Sequence, residues 1–229
     1  MAMSRSRRDA IKKKALMTVP LGAAIIGLLL FLPAGSLGYW QAWLFLATLI
    51  VPLLLVVSYL WKNDPELLER RMRINEKEPK EKGVVRYAQL LFFLVFLIPG
   101  FDYRYGWSNV PAWLAVLSDA LMFLGYMFVF WVFRENTYAS RIVEVEKKQK
   151  VITTGPYAIV RHPMYTGTML MYVCMPIALG SFVALIPMLP VMAVFFVRIF
   201  DEERLLSKSL AGYEAYRRKV RYRLVPGIW

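Results

Sequence analysis

The sequence has one cysteine, Cys174, and one histidine, His162. A lone cysteine excludes an intramolecular disulfide, and two such residues cannot supply the Cys/His spacing of a zinc site. The signatures of soluble catalysis are missing as well. There is no G-x-G-x-x-G behind a strand, no P-loop, no H-E-x-x-H and no G-x-S-x-G. Internal repeats and low-complexity tracts are lacking, and long stretches carry almost no charge.

What is abundant is apolar. Hydrophobic residues make up 58% of the 229 positions, and the mean hydropathy is +0.45. Soluble domains hold about 45–50% apolar residues, so the excess needs a home outside a globular core. Six apolar segments can be drawn, at 17–32, 39–61, 84–100, 111–133, 164–180 and 181–200. A helix of about 20 residues crosses a ~30 Å hydrocarbon layer. The second, fourth and sixth segments fit that length, while the first and fifth are short. The expectation is an all-α integral membrane protein of about six transmembrane helices, with a C-terminal amphipathic cytoplasmic helix. The number falls to five if the first is re-entrant or removed. Its basic start (Arg5, Arg7, Arg8, Lys12, Lys13, Lys14) and the Ala34-Gly35-Ser36 that follows also fit a signal peptide. The second span follows so closely that a retained membrane hairpin is the preferred reading.

The net charge is +13, from 29 Lys and Arg against 16 Asp and Glu. In a soluble protein this would raise nucleic-acid binding. Here the basic residues gather in alternate loops: the N-terminus, 62–82, 134–161 and the C-terminus. The intervening loops, 33–38, 101–110 and Gly180-Ser181, are nearly uncharged. The positive-inside rule therefore places both termini in the cytoplasm, and no nucleic-acid partner is expected. A bacterial inner (cytoplasmic) membrane is the expected location. The polar linker with Pro65 and Pro79 divides an N-terminal membrane hairpin and linker (1–83) from a core (84–229). Residues 142–146 have mixed periodicity and receive no assignment.

Two places stand out for chemistry. The first is Gly155-Pro156-Tyr157 followed by Arg161-His162-Pro163-Met164-Tyr165-Thr166-Gly167, where a basic loop enters the fifth span. Pro163 suits a helix start, which leaves the amides of Met164, Tyr165 and Thr166 free to hold an anion such as a carboxylate. Arg161 and His162 stand beside them as further donors, and Tyr157 and Tyr165 offer flat surfaces for a nucleobase. Tyrosines and a basic pair at headgroup depth are also ordinary furniture of a membrane interface, and the residues alone leave both readings open.

The second place is the end of the sixth span, Arg198 through Asp201-Glu202-Glu203-Arg204. Arg198 and Glu202 are spaced for an i,i+4 salt bridge, in the weaker order. Three acids against a basic background could instead receive a cationic ligand. Beyond them Leu206, Leu210, Tyr213 and Tyr216 fall at helical spacing, as in an amphipathic helix on the membrane surface or a lid.

Together these residues resemble the isoprenylcysteine carboxyl methyltransferase (ICMT) family and its relatives, the phospholipid methyltransferases. The resemblance runs from about Asn136 to Trp229. It rests on Gln149 through Tyr157, on Arg161 through Gly167, on Arg198 and Glu202-Glu203, and on Tyr213, Tyr216 and the segment 220–227. It implies S-adenosyl-L-methionine as cofactor. Positions matching the family's cofactor contacts are Gln149, Lys150, Val151, Ile152, Tyr157, His162, Pro163, Met164, Tyr165 and Glu202. Arg198 matches an arginine implicated in substrate binding and catalysis. The implied reaction is methyl transfer to a lipophilic small-molecule or lipidated acceptor from the bilayer, a carboxylate being the natural group beside an arginine. Two other readings stay open. Membrane sterol reductases share the R-H-P-x-Y-x-G element and use NADPH, and a non-enzymatic protein of the same fold could bind lipid or a partner.

Overall fold

A computed structural model describes residues 5–72, 79–139 and 149–229. The unassigned segment 142–146 lies outside these residues, as do Arg73, Lys77, Lys147 and Lys148. Every described element is helical. In chain order they are α1 (Arg5–Ala34), α2 (Trp40–Asn63), α3 (Pro65–Arg71), α4 (Pro79–Tyr105), α5 (Ala112–Glu135), a 3-10 turn at Gly155–Ala158, α6 (Pro163–Ala178), α7 (Leu185–Ser209) and α8 (Tyr213–Lys219).

Each of the six apolar segments becomes the apolar part of one long helix, α1, α2, α4, α5, α6 or α7. Among the described residues, three stretches are long and apolar enough to cross a bilayer by themselves: Lys13–Ala34, Trp40–Asn63 and Ala112–Glu135. Two of the others, α6 and α7, fall short for identifiable reasons. With 16 residues, α6 extends only about 24 Å. The apolar part of α7 runs directly into Arg198, Asp201, Glu202 and Glu203. Leu16, Leu21, Leu28, Leu54, Leu55, Trp113 and Leu124 point outward. An apolar outer surface of this extent is what a bilayer requires of the protein it surrounds.

The bundle is closed by α5 against α6, α1 against α4, α4 against α7 and α2 against α5. The tightest of these, α5 on α6, depends on two glycines. A Cβ at Gly167 would lie 2.7 Å from Val129 Cγ2 and 3.1 Å from the Gly125 carbonyl oxygen, while one at Gly125 would lie 2.9 Å from Met171 Cγ. Small residues let helices approach where lipid offers no hydrophobic drive to bring them together.

The loops segregate by charge between the two ends. At the sparsely charged end, the buried Asp102 accepts hydrogen bonds from the Ser108 amide, the Ser108 hydroxyl and the Ser181 hydroxyl. The Tyr39 hydroxyl donates to the Leu179 carbonyl at the same end. These contacts tie the three sparsely charged connections together. At the basic end, Asp64 caps α3 by accepting from the Leu67 amide at 2.9 Å. Its other oxygen accepts from Thr137, while Arg70 donates to the Thr137 carbonyl at 2.9 Å. The short α3 is thereby fastened to the chain leaving α5.

The C-terminal amphipathic helix expected from the sequence forms differently. Leu206 belongs to α7, which ends at Ser209, and the chain breaks at Gly212 (φ 86) before the seven-residue α8. Left-handed backbone is cheap only for glycine, so the helical spacing cannot continue through it as one rod. The apolar side of this stretch also turns inward instead of lying on a membrane surface: Tyr213 and Tyr216 are buried.

Candidate functional site

The site is assembled around Glu203, which is 5% exposed. Its Oε1 accepts from Arg161 Nε at 2.7 Å and lies 3.3 Å from His162 Nε2; its Oε2 accepts from Arg223 Nε at 3.1 Å. Burial by itself raises the carboxyl pKa. The hydrogen bonds from His162 and Arg161 and their charges outweigh burial and hold it down at about 2. Arg161 is itself buried, and its Nη1 donates to the carbonyls of Val220 and Arg221 at 2.9 and 2.8 Å. The backbone completes the fastening: the amides of Arg161 and His162 donate to the carbonyls of Tyr222 and Arg223, each at 2.9 Å. Thr166 Oγ1 donates to the Leu224 carbonyl at 2.8 Å. Three segments distant in sequence, 161–166, α7 and 220–224, thus form one unit.

Two sequence-based expectations change here. Arg161 lines the cavity described below but serves first as a structural anchor, its Nε committed to Glu203 and its Nη1 to two carbonyls. Of the three acids, Glu203 is enclosed by its own cations and Asp201 pairs with Arg204 at 3.2 Å, which leaves Glu202 to face a cavity.

That cavity has a volume of about 840 Å³, counting its part open to solvent. Gln149, Lys150, Val151 and Ile152 form one wall. The 3-10 turn contributes Tyr157, whose hydroxyl accepts from Asn136 Nδ2 at 2.8 Å. The start of α6 contributes His162, Met164 and Tyr165, and α7 contributes Arg198, Glu202 and Leu206. Glu202 Oε2 lies 3.8 Å from His162 Nδ1. The Tyr165 hydroxyl stands in hydrogen-bonding reach of both Arg198 and Glu202. Leu210, Tyr213 and Tyr216 cover the cavity from the far side. Tyr216 donates to the Tyr157 carbonyl at 2.8 Å and so latches α8 onto the 3-10 turn. Burial pushes the phenols of Tyr157, Tyr213 and Tyr216 up, which keeps them neutral donors.

Of the positions that match the family's cofactor and substrate contacts, the structure brings all but Pro163 to this one cavity. Pro163 is buried at the first turn of α6 and does not line the cavity; its fixed φ starts the helix. His162 precedes it in a non-helical conformation (φ −124, ψ 58). The Thr166 amide bonds the His162 carbonyl at 3.1 Å, so the helix start offers the amides of Met164 and Tyr165 rather than three. Sequence reasoning missed the wall made by Asn136, Tyr138 and Ala139. Its one available signal was Asn136, a helix-ending residue directly after α5.

Residues 113–212 match the family model of the phospholipid methyltransferases. The fold is similar to that of the eukaryotic intramembrane Ras methyltransferase ICMT (isoprenylcysteine carboxyl methyltransferase). The TM-score is 0.50 at 19% identity, covering 90% of this chain and 75% of that one. The chain thus carries a segment similar to the phospholipid methyltransferases within a fold similar to that of ICMT. No curated protein sequence matches it. The matched segment begins within α5 and ends at Gly212. It contains the His162–Tyr165 turn, Arg198 and Glu202, and stops short of the 220–224 segment that fastens them.

Proposed function

We propose that the protein transfers a methyl group from S-adenosyl-L-methionine to a lipophilic acceptor held in the membrane. The observation that carries this reading is the convergence of Gln149, Tyr157, His162, Met164, Tyr165, Arg198 and Glu202 on one cavity. The donor set suits the cofactor. Glu202 supplies an anionic group for an ammonium or sulfonium, and the amides that open α6 suit a carboxylate. Tyr213 lines the cavity, and its buried hydroxyl has no hydrogen-bond partner among the described residues. Buried hydroxyls without partners are uncommon, and a bound polar ligand would satisfy this one.

The cofactor supplies an electrophilic methyl on a cationic sulfur. The chain's part is to position and to exclude water. Arg198 stands where it can pair with a carboxylate acceptor, whose nucleophilic oxygen needs no base. The Tyr165 hydroxyl holds Arg198 and Glu202 in register. Leu206, Leu210 and the α8 tyrosines shield the cavity from bulk solvent. In this reading the basic end faces the cytoplasm with both termini, six helices cross a bacterial inner membrane, and residues 84–229 carry the cofactor site.

Titration of the purified protein with S-adenosylhomocysteine and, separately, NADPH tests the proposal. A ligand that binds only the native state stabilises it by about 2.7 kcal/mol at 100 times its dissociation constant. Stabilisation by S-adenosylhomocysteine alone is expected. Stabilisation by NADPH alone would move the protein to the reductases, and a response to neither would remove the enzymatic reading.

A further inference from the structure

The turn that carries Tyr157 is gripped by the end of α5. Thr154 Oγ1 donates to Glu135 Oε2 at 2.9 Å, and a Cβ at Gly155 (φ 55) would lie 2.7 Å from the Glu135 side chain. The next residue, Asn136, is the C-cap of α5, and its amide donates to the Val132 carbonyl at 3.0 Å. Its side chain makes two bonds of defined direction. Oδ1 accepts from the Tyr138 amide at 2.9 Å, and Nδ2 faces the Tyr157 hydroxyl at 2.8 Å. A backbone N–H can only donate, so the atom opposite it must be the oxygen, and the side-chain amide cannot be turned over. The NH₂ then stands against Tyr157, where it too can only donate.

The direction of the phenol hydrogen follows. The Tyr157 oxygen is engaged as an acceptor, so its O–H is directed away from Asn136, and it has no acceptor among the described residues. Burial keeps the phenol neutral, so the hydrogen stays in place at ordinary pH. The residue is held through its backbone as well, since the Tyr157 carbonyl accepts from Tyr216 at 2.8 Å. Asn136 and Tyr157 both line the cavity.

We propose that Asn136 is a positioning residue, which aims the Tyr157 hydroxyl as a donor at a lone pair on the adenosine portion of the cofactor. The inference rests on the proposed function, which supplies that cofactor. A neutral phenol suits an uncharged acceptor, a purine ring nitrogen or a ribose oxygen. The carboxylate of the same molecule is better met by the amides that open α6. A ligand with no acceptor at that place would leave a buried donor unpaired, and the arrangement therefore selects.

Asn136→Asp tests this in the full chain. The substitution keeps an oxygen for the Tyr138 amide but sets a carboxylate oxygen against Tyr157, so the phenol hydrogen turns from the cavity to that oxygen. Calorimetric titration with S-adenosylhomocysteine should show affinity about 2–13-fold weaker, the worth of one neutral hydrogen bond, at a melting temperature near wild type. Tyr157→Phe should weaken binding by a similar factor, and Asn136→Asp should cost nothing further in the Tyr157→Phe background. A structural role for Asn136, or a plain effect of the added charge, would carry the same loss into both backgrounds, and that result overturns the proposal. Wild-type affinity in Asn136→Asp overturns it too. A second comparison leaves Asn136 intact. Wild type and Tyr157→Phe are titrated with analogues of S-adenosylhomocysteine in which one purine ring nitrogen is replaced by CH, or one ribose hydroxyl by hydrogen. One analogue should bind the wild type more weakly than the parent ligand, yet bind Tyr157→Phe equally well. A purine analogue that does so puts the acceptor on the base, and a ribose analogue puts it on the sugar. The absence of any such analogue, or this behaviour from decarboxylated S-adenosylhomocysteine, overturns the assignment. A chain that binds no S-adenosylhomocysteine refutes the proposed function and this inference together, whereas binding with equal losses in both backgrounds refutes this inference alone.

Discussion

Glu202 and Glu203 are adjacent in sequence and opposite in environment, and replacing each by glutamine separates building the site from using it. At Glu203 the substitution keeps the shape and one carbonyl oxygen for Arg161. It also places an amide NH₂ or an uncharged oxygen against Arg223, where a carboxylate oxygen accepted at 3.1 Å. Arg161, 8% exposed, is left without a countercharge. Breaking a buried ion pair from one side costs about 3–5 kcal/mol. For a chain of this length that corresponds to a melting temperature lower by roughly 6–20 °C. At Glu202 the side chain is 31% exposed and lies 3.8 Å from His162. Its substitution should change stability by no more than about 0.5 kcal/mol. It should weaken S-adenosylhomocysteine binding by about 10–150-fold, the equivalent of one charge-assisted hydrogen bond. Thermal melts in detergent and calorimetric titration of both variants provide the comparison. A Glu203→Gln variant that melts with the wild type refutes the account of the network. Equal losses of affinity at equal stability refute the division between the two residues.

Arg198→Ala is expected to bind S-adenosylhomocysteine near wild-type affinity and to lose methyl transfer, measured with a radiolabelled methyl donor; full turnover on a competent acceptor would remove Arg198 from the reacting face. Tyr213→Phe deletes a hydroxyl without a partner, so stability should hold or rise while cofactor affinity falls about 2–13-fold; unchanged affinity would show that the ligand ignores this group. Glu203 has a lower pKa folded than unfolded, about 2 against an ordinary 4.5. Its stabilisation is therefore complete above about pH 4.5 and lost as the pH falls toward 2, and a wild-type melting curve that rises on acidification, or one that Glu203→Gln reproduces, would contradict this. Reporter fusions at residues near 36 and 105 should report the face opposite those at 75, 148 and 225, and a split within either group would overturn the orientation.

The apolar segments and the alternation of loop charge were legible because a bilayer imposes length and polarity directly on sequence, and the six segments correspond to six helices. The cavity lining was legible at Gln149–Ile152, Tyr157, His162, Arg198 and Glu202 because those residues fall in motifs of characteristic order. The role of Glu203 was not. Nothing local distinguishes it from Glu202, and its fate is decided by which helix face meets Arg161, His162 and Arg223. The misreading of 206–216 as one surface helix has a similar origin. Spacing records which side chains share a face, and it cannot say that Gly212 breaks the rod and folds that face onto the protein.

The pairing of residues 161–166 with 220–224 gives the protein a schedule. A membrane bundle is laid down as the chain emerges, at about 5–20 residues per second, and its helices can associate while synthesis continues. The His162–Tyr165 turn would then be in place with its partners still unmade. Arg161 would lack the carbonyls of Val220 and Arg221, and Glu203 would lack Arg223. Only after residues 220–224 have left the ribosome can the cavity acquire its final walls. An incomplete chain would therefore be inserted with its cavity unfinished, so the site is completed after the fold is committed to the membrane.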